Sequence, residues 1–415
     1  MATLSPEYHV IKEDNPFNVT QADLVVGFLS KNDATTIERM AIKVSEGLIQ
    51  DFPGLKTVLV LSDCHSEDNV VETFFQSPTE SPKLAMVTPP DRALETQGLF
   101  NLFFLAERLQ AKTIVVQNAD TLTIKRTWLK RLIQPILDDI ADFTNPLYSR
   151  NAIDSPVTNL MVYPMIRSLF GRRLRQPILT DWAFNERFLK TLLAYPDWPT
   201  CPGLMTPELL VKVLAITGGF RICQSIMTEG RHGLSNLSMD TPHIIKMFQQ
   251  LARGIFEAMA RFKANWVKVT RSKPTSVIGT NLKQGLFPAR YQFNFKELHT
   301  EILDLLKDTE SQWRDVLGVA NDLRQYLLTT PLNDLDISAQ KWGMFLFQCG
   351  GLYENLDSSG QDKLVAAITP VFLARFLTFQ KNTLGLSATQ VESQVEIAAV
   401  NLEKLKKEFL SQLSV

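Results

Sequence analysis

The residues of this chain best suited to chemistry are acids at the tips of apolar runs, a loop histidine and a cluster of arginines. The stretch Lys112-Thr-Ile-Val-Val-Gln-Asn118-Ala-Asp120 carries apolar and β-branched residues into an acidic tip. That pattern predicts a buried parallel strand ending in a turn. Ligands bind beyond the carboxyl ends of strands in open α/β sheets. A carboxylate there can hold a divalent metal, and the metal can hold a diphosphate. Asp120 is therefore the first candidate ligand. The competing reading is a turn aspartate capping the next helix, which is the commoner one from these residues alone. Asp63 ends a second apolar run and is either a site acid or a turn former. His232 stands between Gly230 and Gly233, a poor place for a core histidine, so it is a metal ligand or a surface loop residue. Asp181 opens a predicted helix and is a site acid or its N-cap. Arg167, Arg172, Arg173 and Arg175 fall within nine positions. Guanidinium forks match phosphate and carboxylate, and solvated helix faces also carry such clusters. His65 and His243 read as bystanders, and Trp198, Trp266 and Trp313 as core or groove packing.

The bulk properties bound the class. With 415 residues, 45% of them hydrophobic and 21% charged, the chain can bury the core of one large domain or two ordinary ones. A formal net charge of −1 argues against a nucleic-acid footprint. No run of 18 apolar residues is long enough to span a membrane. The start Met-Ala-Thr-Leu-Ser-Pro-Glu does not read as a signal peptide. Cys64, Cys201, Cys223 and Cys349 are scattered without CxxC spacing and are expected as free thiols in a reducing cytoplasm.

The elements that must position these residues follow from periodicity. Residues 1–21 are polar and irregular and read as an arm. Strands are expected at 22–29, 56–62, 83–88, the Lys112 stretch and 142–148. Helices are expected at about 37–48, with Asp33 to Thr36 as cap, and at 98–110 and 126–140. Strand and helix alternate at crossover spacing, which predicts a doubly wound, mostly parallel α/β sheet. Further on come a loop at 176–182, helices at 183–193 and 207–217, and a short strand after Gly218. Asp240 and Pro242 open a section that reads as all helix to the end, in helices near 240–267, 295–307, 310–328, 338–354 and 361–380. A last helix starts at Ser387 with Gln390 as its capping-box partner. A loop at 272–290 divides the section. The expected division is an arm at 1–21, an α/β domain at 22–235 and a helical region at 236–415.

The order of these pieces resembles a known group. The motifs are VVGFLSKNDATTI (25–37), VLSD (60–63), Gly98, NAD (118–120), NPLYSR (145–150), VYPMIRSLFGRRLRQPILTDW (162–182) and EGRHG (229–233). Together they resemble the GT-A-fold, family-2-like glycosyltransferases that make glucosylglycerate or mannosylglycerate and their phosphoglycerate relatives. The likeness covers roughly the first 265 residues, and the helical tail resembles that of bacterial members. It implies a nucleotide-sugar donor over the first strands, with Ser30, Asn32, Asp63, Gln97, Gly98, Asn118 and Asp120 lining its pocket. It implies a divalent metal, Mg²⁺ or Mn²⁺, held by Asp120 and His232. Asp181 takes the acidic position near the donor sugar, and Tyr163, Arg167, Arg172, Arg173 and Arg175 lie along the acceptor loop. The implied reaction is metal-assisted sugar transfer to a small anionic acceptor such as glycerate or phosphoglycerate, with the anomeric configuration kept. If the chain self-associates, a homodimer is the expected assembly.

The chain also departs from that pattern. The first acid of the DxD motif is Asn118, the Gly-Lys-Gly loop reads Thr96-Gln97-Gly98, and the glycine before Asp181 is Thr180. A later acidic position reads Gly203-Leu-Met205-Thr-Pro, with Glu208 the nearest acid. Asn118 and Gln97 each lose a charge there, and a charge-assisted contact is roughly twice as strong as a neutral one. Two alternatives therefore stand beside the enzyme: a non-catalytic relative that keeps the fold to bind a partner or metabolite, and a glycosyltransferase with another acceptor.

Overall fold

The computed structural model describes residues 12–89, 95–149, 154–196, 205–227, 240–280, 293–317 and 321–413. Its strands are β1 (Lys12–Asp14), β2 (Leu24–Ser30), β3 (Thr57–Asp63), β4 (Lys83–Val87), β5 (Thr113–Asn118), β6 (Phe143–Tyr148), β7 (Trp182–Asn185), β8 (Ile222–Met227) and β9 (Ser276–Ile278). They form one nine-stranded sheet in the order β1-β4-β3-β2-β5-β7-β6-β8-β9. β1 runs antiparallel to β4, and β7 runs antiparallel to both neighbours, β5 and β6. The other pairings are parallel. The carboxyl ends of β2, β3, β5, β6 and β8 therefore share one edge with the amino end of β7.

The α/β part holds α1 (Ala34–Asp51), α2 (Val70–Gln76), α3 (Glu95–Arg108), α4 (Arg126–Leu137), α5 (Tyr163–Phe170), α6 (Glu186–Leu193) and α7 (Pro207–Thr217). A π-helical turn, Thr158–Val162, leads into α5. Successive strand side chains point to opposite faces, and the two cores sort accordingly. Leu24, Val26 and Phe28 of β2 pack with α1, α2 and α4, while Val25 and Leu29 pack with α3 and α5–α7. This is the doubly wound α/β arrangement expected from the crossovers. Gly171, with φ +67°, ends α5 in the left-handed region and turns the chain toward the sheet.

The helical part follows: α8 (Thr241–Arg261), α9 (Lys263–Trp266), α10 (Phe295–Asp308), α11 (Glu310–Leu317), α12 (Asn321–Thr329), α13 (Ala339–Tyr353), α14 (Ser358–Thr383) and α15 (Ala388–Leu413). It shares the core that covers the α5 face of the sheet. Phe248 of α8 stacks on Phe372 of α14 at 4.1 Å, and the Trp342 indole of α13 donates to the Leu160 carbonyl at 2.7 Å. The expected caps at Asp240 and at Ser387 with Gln390 are formed. No described helix is long and apolar enough to cross a membrane.

Several local expectations are corrected. Residues 12–14 of the expected arm form edge strand β1, whose charged Lys-Glu-Asp suits an edge. The helix expected at 183–193 begins as strand β7, because Trp182 and Phe184 find partners between β5 and β6. Asn185 then caps α6 by accepting from the Phe188 amide, so Asp181 is not a helix cap. The loop expected at 272–290 contains β9, paired with β8. The helix expected at 310–328 is two, α11 and α12. Asp33 precedes α1 without capping it through its side chain. With β9 supplied from beyond residue 235, the sheet draws on both sides of the expected domain boundary.

At the edge opposite the site, Asp142 gathers Arg221, Arg187 and Asn185 at the start of β6. Burial alone would raise its carboxyl, but hydrogen bonds from Arg221 and Asn185 outweigh it and hold the group at about 2. A carboxyl depressed in the folded state stabilises the fold above its unfolded value of 3.8 and loses that contribution as pH falls through 2. Asp142→Asn is expected to cost about 1–3 kcal/mol at pH 7. In chemical-denaturation curves at successive pH values, the gap between wild type and variant should close between pH 4 and 2.

Candidate functional site

The carboxyl edge of the sheet collects most of the predicted acids. Ser30 pairs with Asp63 across β2 and β3, and Leu29 pairs with Asn118 across β2 and β5. Val116 pairs with Trp182, so Asp181 falls beside Gln117, one residue short of Asn118. Ser30, Asp63, Asn118, Asp120 and Asp181 thus stand along one line of strand ends.

The turns after β2 and β3 are stitched together. Asp63 accepts hydrogen bonds from the Ser66 amide (3.0 Å) and the Ser66 hydroxyl. The Asn32 amide donates to that hydroxyl at 2.8 Å, and Asn32 Oδ1 accepts from the Glu67 amide at 2.8 Å. Asn32 adopts φ +62°, a conformation that asparagine tolerates better than most residues. Asp63 thus organises its own loop, and Asn32 ties its turn to that loop. Gln97 and Gly98 sit at the start of α3, over the end of β3. A Cβ on Gly98 would lie 2.6 Å from Cys64 Sγ, and the Ser62 hydroxyl donates to the Gly98 carbonyl at 2.7 Å. Glycine is required here by close approach. Gln97 Nε2 donates to Asn101 Oδ1 at 2.8 Å.

At the tip of β5, Asn118 Oδ1 accepts from the Asp120 amide at 3.3 Å, an Asx turn that aims its oxygen at its own backbone. Asp120 is 5% exposed. The Thr36 hydroxyl of α1 donates to the Ala119 carbonyl at 2.6 Å and ties α1 to this turn. That brings Asp33 close to Asp120. Burial, with the like charges of Asp120 and Asp68, pushes the Asp33 carboxyl up to about 6, despite the Lys31 amide at 2.9 Å. Among the described residues no group of three or more His, Cys, Asp or Glu is placed to hold a metal. Mg²⁺ needs only one or two carboxylates when phosphate oxygens and water complete its shell. A repelling pair of buried carboxylates, Asp33 and Asp120, fits that donor set. His232 lies outside the described residues, which resume at Asp240 after β8 ends at Met227.

Asp181 is fully buried and accepts from the Tyr148 hydroxyl at 2.9 Å. The loop leading to it is pinned at Gln176, whose side chain accepts from the Tyr148 amide (3.0 Å) and donates to the Tyr148 carbonyl (2.9 Å). Asn145 donates to the Gln176 carbonyl at 3.1 Å. Lys212 of α7 donates to the Leu179 carbonyl in the same loop.

The arginines are placed differently. Arg167 is 3% exposed and donates to Glu396 (2.7 Å) and Glu403 (3.1 Å) of α15. Arg175 forks onto Glu392 at 2.5 and 2.8 Å, and the Tyr163 hydroxyl donates to Glu396 at 2.5 Å. An acceptor would have to displace these carboxylates to use Tyr163, Arg167 or Arg175. Arg173 is exposed and Arg172 half-buried, and neither is ion-paired with a described residue. Tyr148, Gln176 and Lys212 were not singled out from the sequence, and Asp33 was expected in the cap before α1. Lys212 had a signal: it is the sole basic residue in the otherwise apolar run Leu209–Ile216.

No known family's sequence profile matches this chain, and no curated protein matches it. Among solved structures it is similar to a mycobacterial protein at 15% identity, over 58% of this chain and 74% of that one, with a TM-score of 0.42. It is also similar to glucosyl-3-phosphoglycerate synthase from Mycobacterium tuberculosis. In complex with Mn²⁺, UDP-glucose and phosphoglyceric acid, that structure matches at 16% identity over 58% of this chain and 79% of that one, with a TM-score of 0.43. In complex with Mg²⁺ and UDP it matches at 16% over the same shares, with a TM-score of 0.44. At such distance these likenesses carry nothing about the chemistry of this chain.

The Asp33 environment gives a direct test. A carboxyl raised in the folded state makes stability fall as pH rises from 3.8 through about 6. Asp33→Asn keeps an acceptor for the Lys31 amide and removes the repulsion. The variant is expected to be about 1–3 kcal/mol more stable than wild type at pH 7.5. Urea unfolding at pH 7.5 and at pH 4 should show that advantage and then its loss.

Proposed function

We propose that the chain is a nucleotide-sugar glycosyltransferase, binding a nucleoside-diphosphate sugar at the carboxyl edge of its sheet. One observation carries this reading: Ser30, Asp63, Asn118, Asp120 and Asp181 stand along one line of strand ends. In such sheets that edge is where ligands bind. In this reading Asp63 and Asn32 shape the base pocket, and Gly98, packed against Cys64, brings the start of α3 beside it. Asp120, with His232 as proposed partner, holds Mg²⁺ or Mn²⁺. A bound divalent ion would neutralise charge on the departing diphosphate. Asp181, oriented by Tyr148, takes the position nearest the donor sugar. The acceptor is small and anionic, such as glycerate or phosphoglycerate, and Arg172 and Arg173 are the arginines not committed to α15. The proposed reaction retains the anomeric configuration, and the proposed setting is the cytoplasm.

A second reading is a non-catalytic member that binds without transferring. It is favoured by Asn118, whose side-chain oxygen serves its own turn, and by Gln97, which donates to Asn101 where the resembling enzymes place a lysine.

A thermal-shift screen against UDP-, GDP- and ADP-sugars, with and without Mg²⁺ or Mn²⁺, separates these readings. Ligand at a hundredfold excess over Kd stabilises by about 2.7 kcal/mol, roughly a 3 °C rise for a chain of this size. One donor is expected to give such a rise, enlarged by metal, and Asp120→Asn should lose the metal-dependent part. Release of sugar onto glycerate would then establish transfer. Binding without turnover would favour the second reading, and no shift with any donor would sink the nucleotide-sugar site itself.

A further inference from the structure

Lys212 is a charged side chain fully buried beneath the site. It sits in the middle of α7 among Leu210, Val211, Val213 and Leu214. Its ammonium donates to the Leu179 carbonyl and stands 4.6 Å from the centre of the Trp182 ring. Two carboxylates face it: Asp181, before β7, and Glu208, one turn earlier on α7. Lys212 therefore touches the 176–181 loop two residues before Asp181 and grips the first residue of β7 just after it. Gln176 is pinned to Tyr148 at the other end of the loop, and Tyr148 donates to Asp181. The loop is held at its start by β6 and at its end by α7. A buried carboxylate without a compensating charge is costly, and so is a buried ammonium. Each of these groups makes the other tolerable.

We propose that Lys212 is a positioning residue for the site, holding the Leu179 carbonyl and placing its ammonium against the loop so that Asp181 is aimed at the strand edge. The proposal rests on the nucleotide-sugar reading only for the ligand that Asp181 meets. The coupling of Lys212 to Asp181 stands apart from it. Burial pushes the Lys212 ammonium down to about 7, with Glu208 and Asp181 opposing that shift. Between about 7 and the ordinary 10.5, the unfolded chain then holds more protons at this residue, so stability rises with pH across that window. Removing the Asp181 charge lets Lys212 lose its proton at lower pH, and the rise starts earlier.

The test uses the full chain as wild type, Lys212→Met, Asp181→Asn and the double variant. Melting temperatures are read from pH 6 to pH 10, alone and with UDP-, GDP- or ADP-glucose plus Mn²⁺. Without ligand, two results are expected. The pH-dependent rise is smaller in Lys212→Met, where Lys406, pushed down to about 8, keeps its own share, and is moved to lower pH in Asp181→Asn. The two single effects do not add in the double variant. Additive effects, or a pH profile that Asp181→Asn leaves in place, would overturn the proposal. If Lys212→Met fails to fold, the profile of Asp181→Asn against wild type still decides it. With a donor that shifts wild type, Lys212→Met and Asp181→Asn should each weaken apparent affinity about tenfold or more. A donor response unchanged in Lys212→Met would confine the residue to the core and overturn the positioning role. A wild type that answers no donor defeats the nucleotide-sugar reading and leaves the ligand-free coupling as the deciding result.

Discussion

A guanidinium cannot shed its charge inside a protein, and that constraint organises this molecule. Arg167 and Arg175 lie between the sheet and the helical part, almost wholly removed from water. They can stay there only if carboxylates come to them. Glu392, Glu396 and Glu403 of α15 supply those charges, more than 200 residues later in the chain. Glu403 also accepts from the Ser272 amide and hydroxyl, so one carboxylate holds both α5 and the segment leading to β9. Lys406, a turn further along α15, donates to the carbonyls of Ser168 and Val269 at 3.2 and 2.7 Å. The last helix thus supplies both signs of charge to the buried polar groups at this junction. Arg175 precedes Gln176, so the docking of α15 reaches the loop that ends at Asp181.

The strand edge is arranged on the opposite principle. There the like charges of Asp33 and Asp120 are brought together under burial, and Asp33 answers by moving toward the neutral form. Carboxylates strained in this way at a strand edge suit a cation or a hydrogen-bonding ligand more than they suit stability. The arginine junction gathers opposite charges, whereas the strand edge brings like charges together.

The parts legible in the sequence were those with a local signature. β2 to β6 are apolar runs with helical crossovers between them, and each was read close to its observed span. Asp63, Asp120 and Asp181 were read as acids at element ends, and the structure aligns them. β1, β7 and β9 were missed because strands of three or four residues carry no periodicity of their own; pairing partners create them. The same holds for charge. Four arginines in a row of motifs look the same whether they await an anion or already hold Glu392 and Glu396, because the partners are distant in the chain. Lys212 could have been found, since a lysine amid Leu-Leu-Val and Val-Leu-Ala has no polar face on which to lie.

β9 has a consequence in time. It is the outermost strand beside β8, and its three residues follow α8 and α9 in the chain. While the chain is being made, β8 emerges some fifty residues ahead of its last partner. Parallel pairing across such a gap is slow compared with local helix formation. During that interval the edge of β8 is open to mispairing with other chains. Until β9 is made, Cys223–Ser225 of β8 lack the strand that pairs with them in the finished sheet.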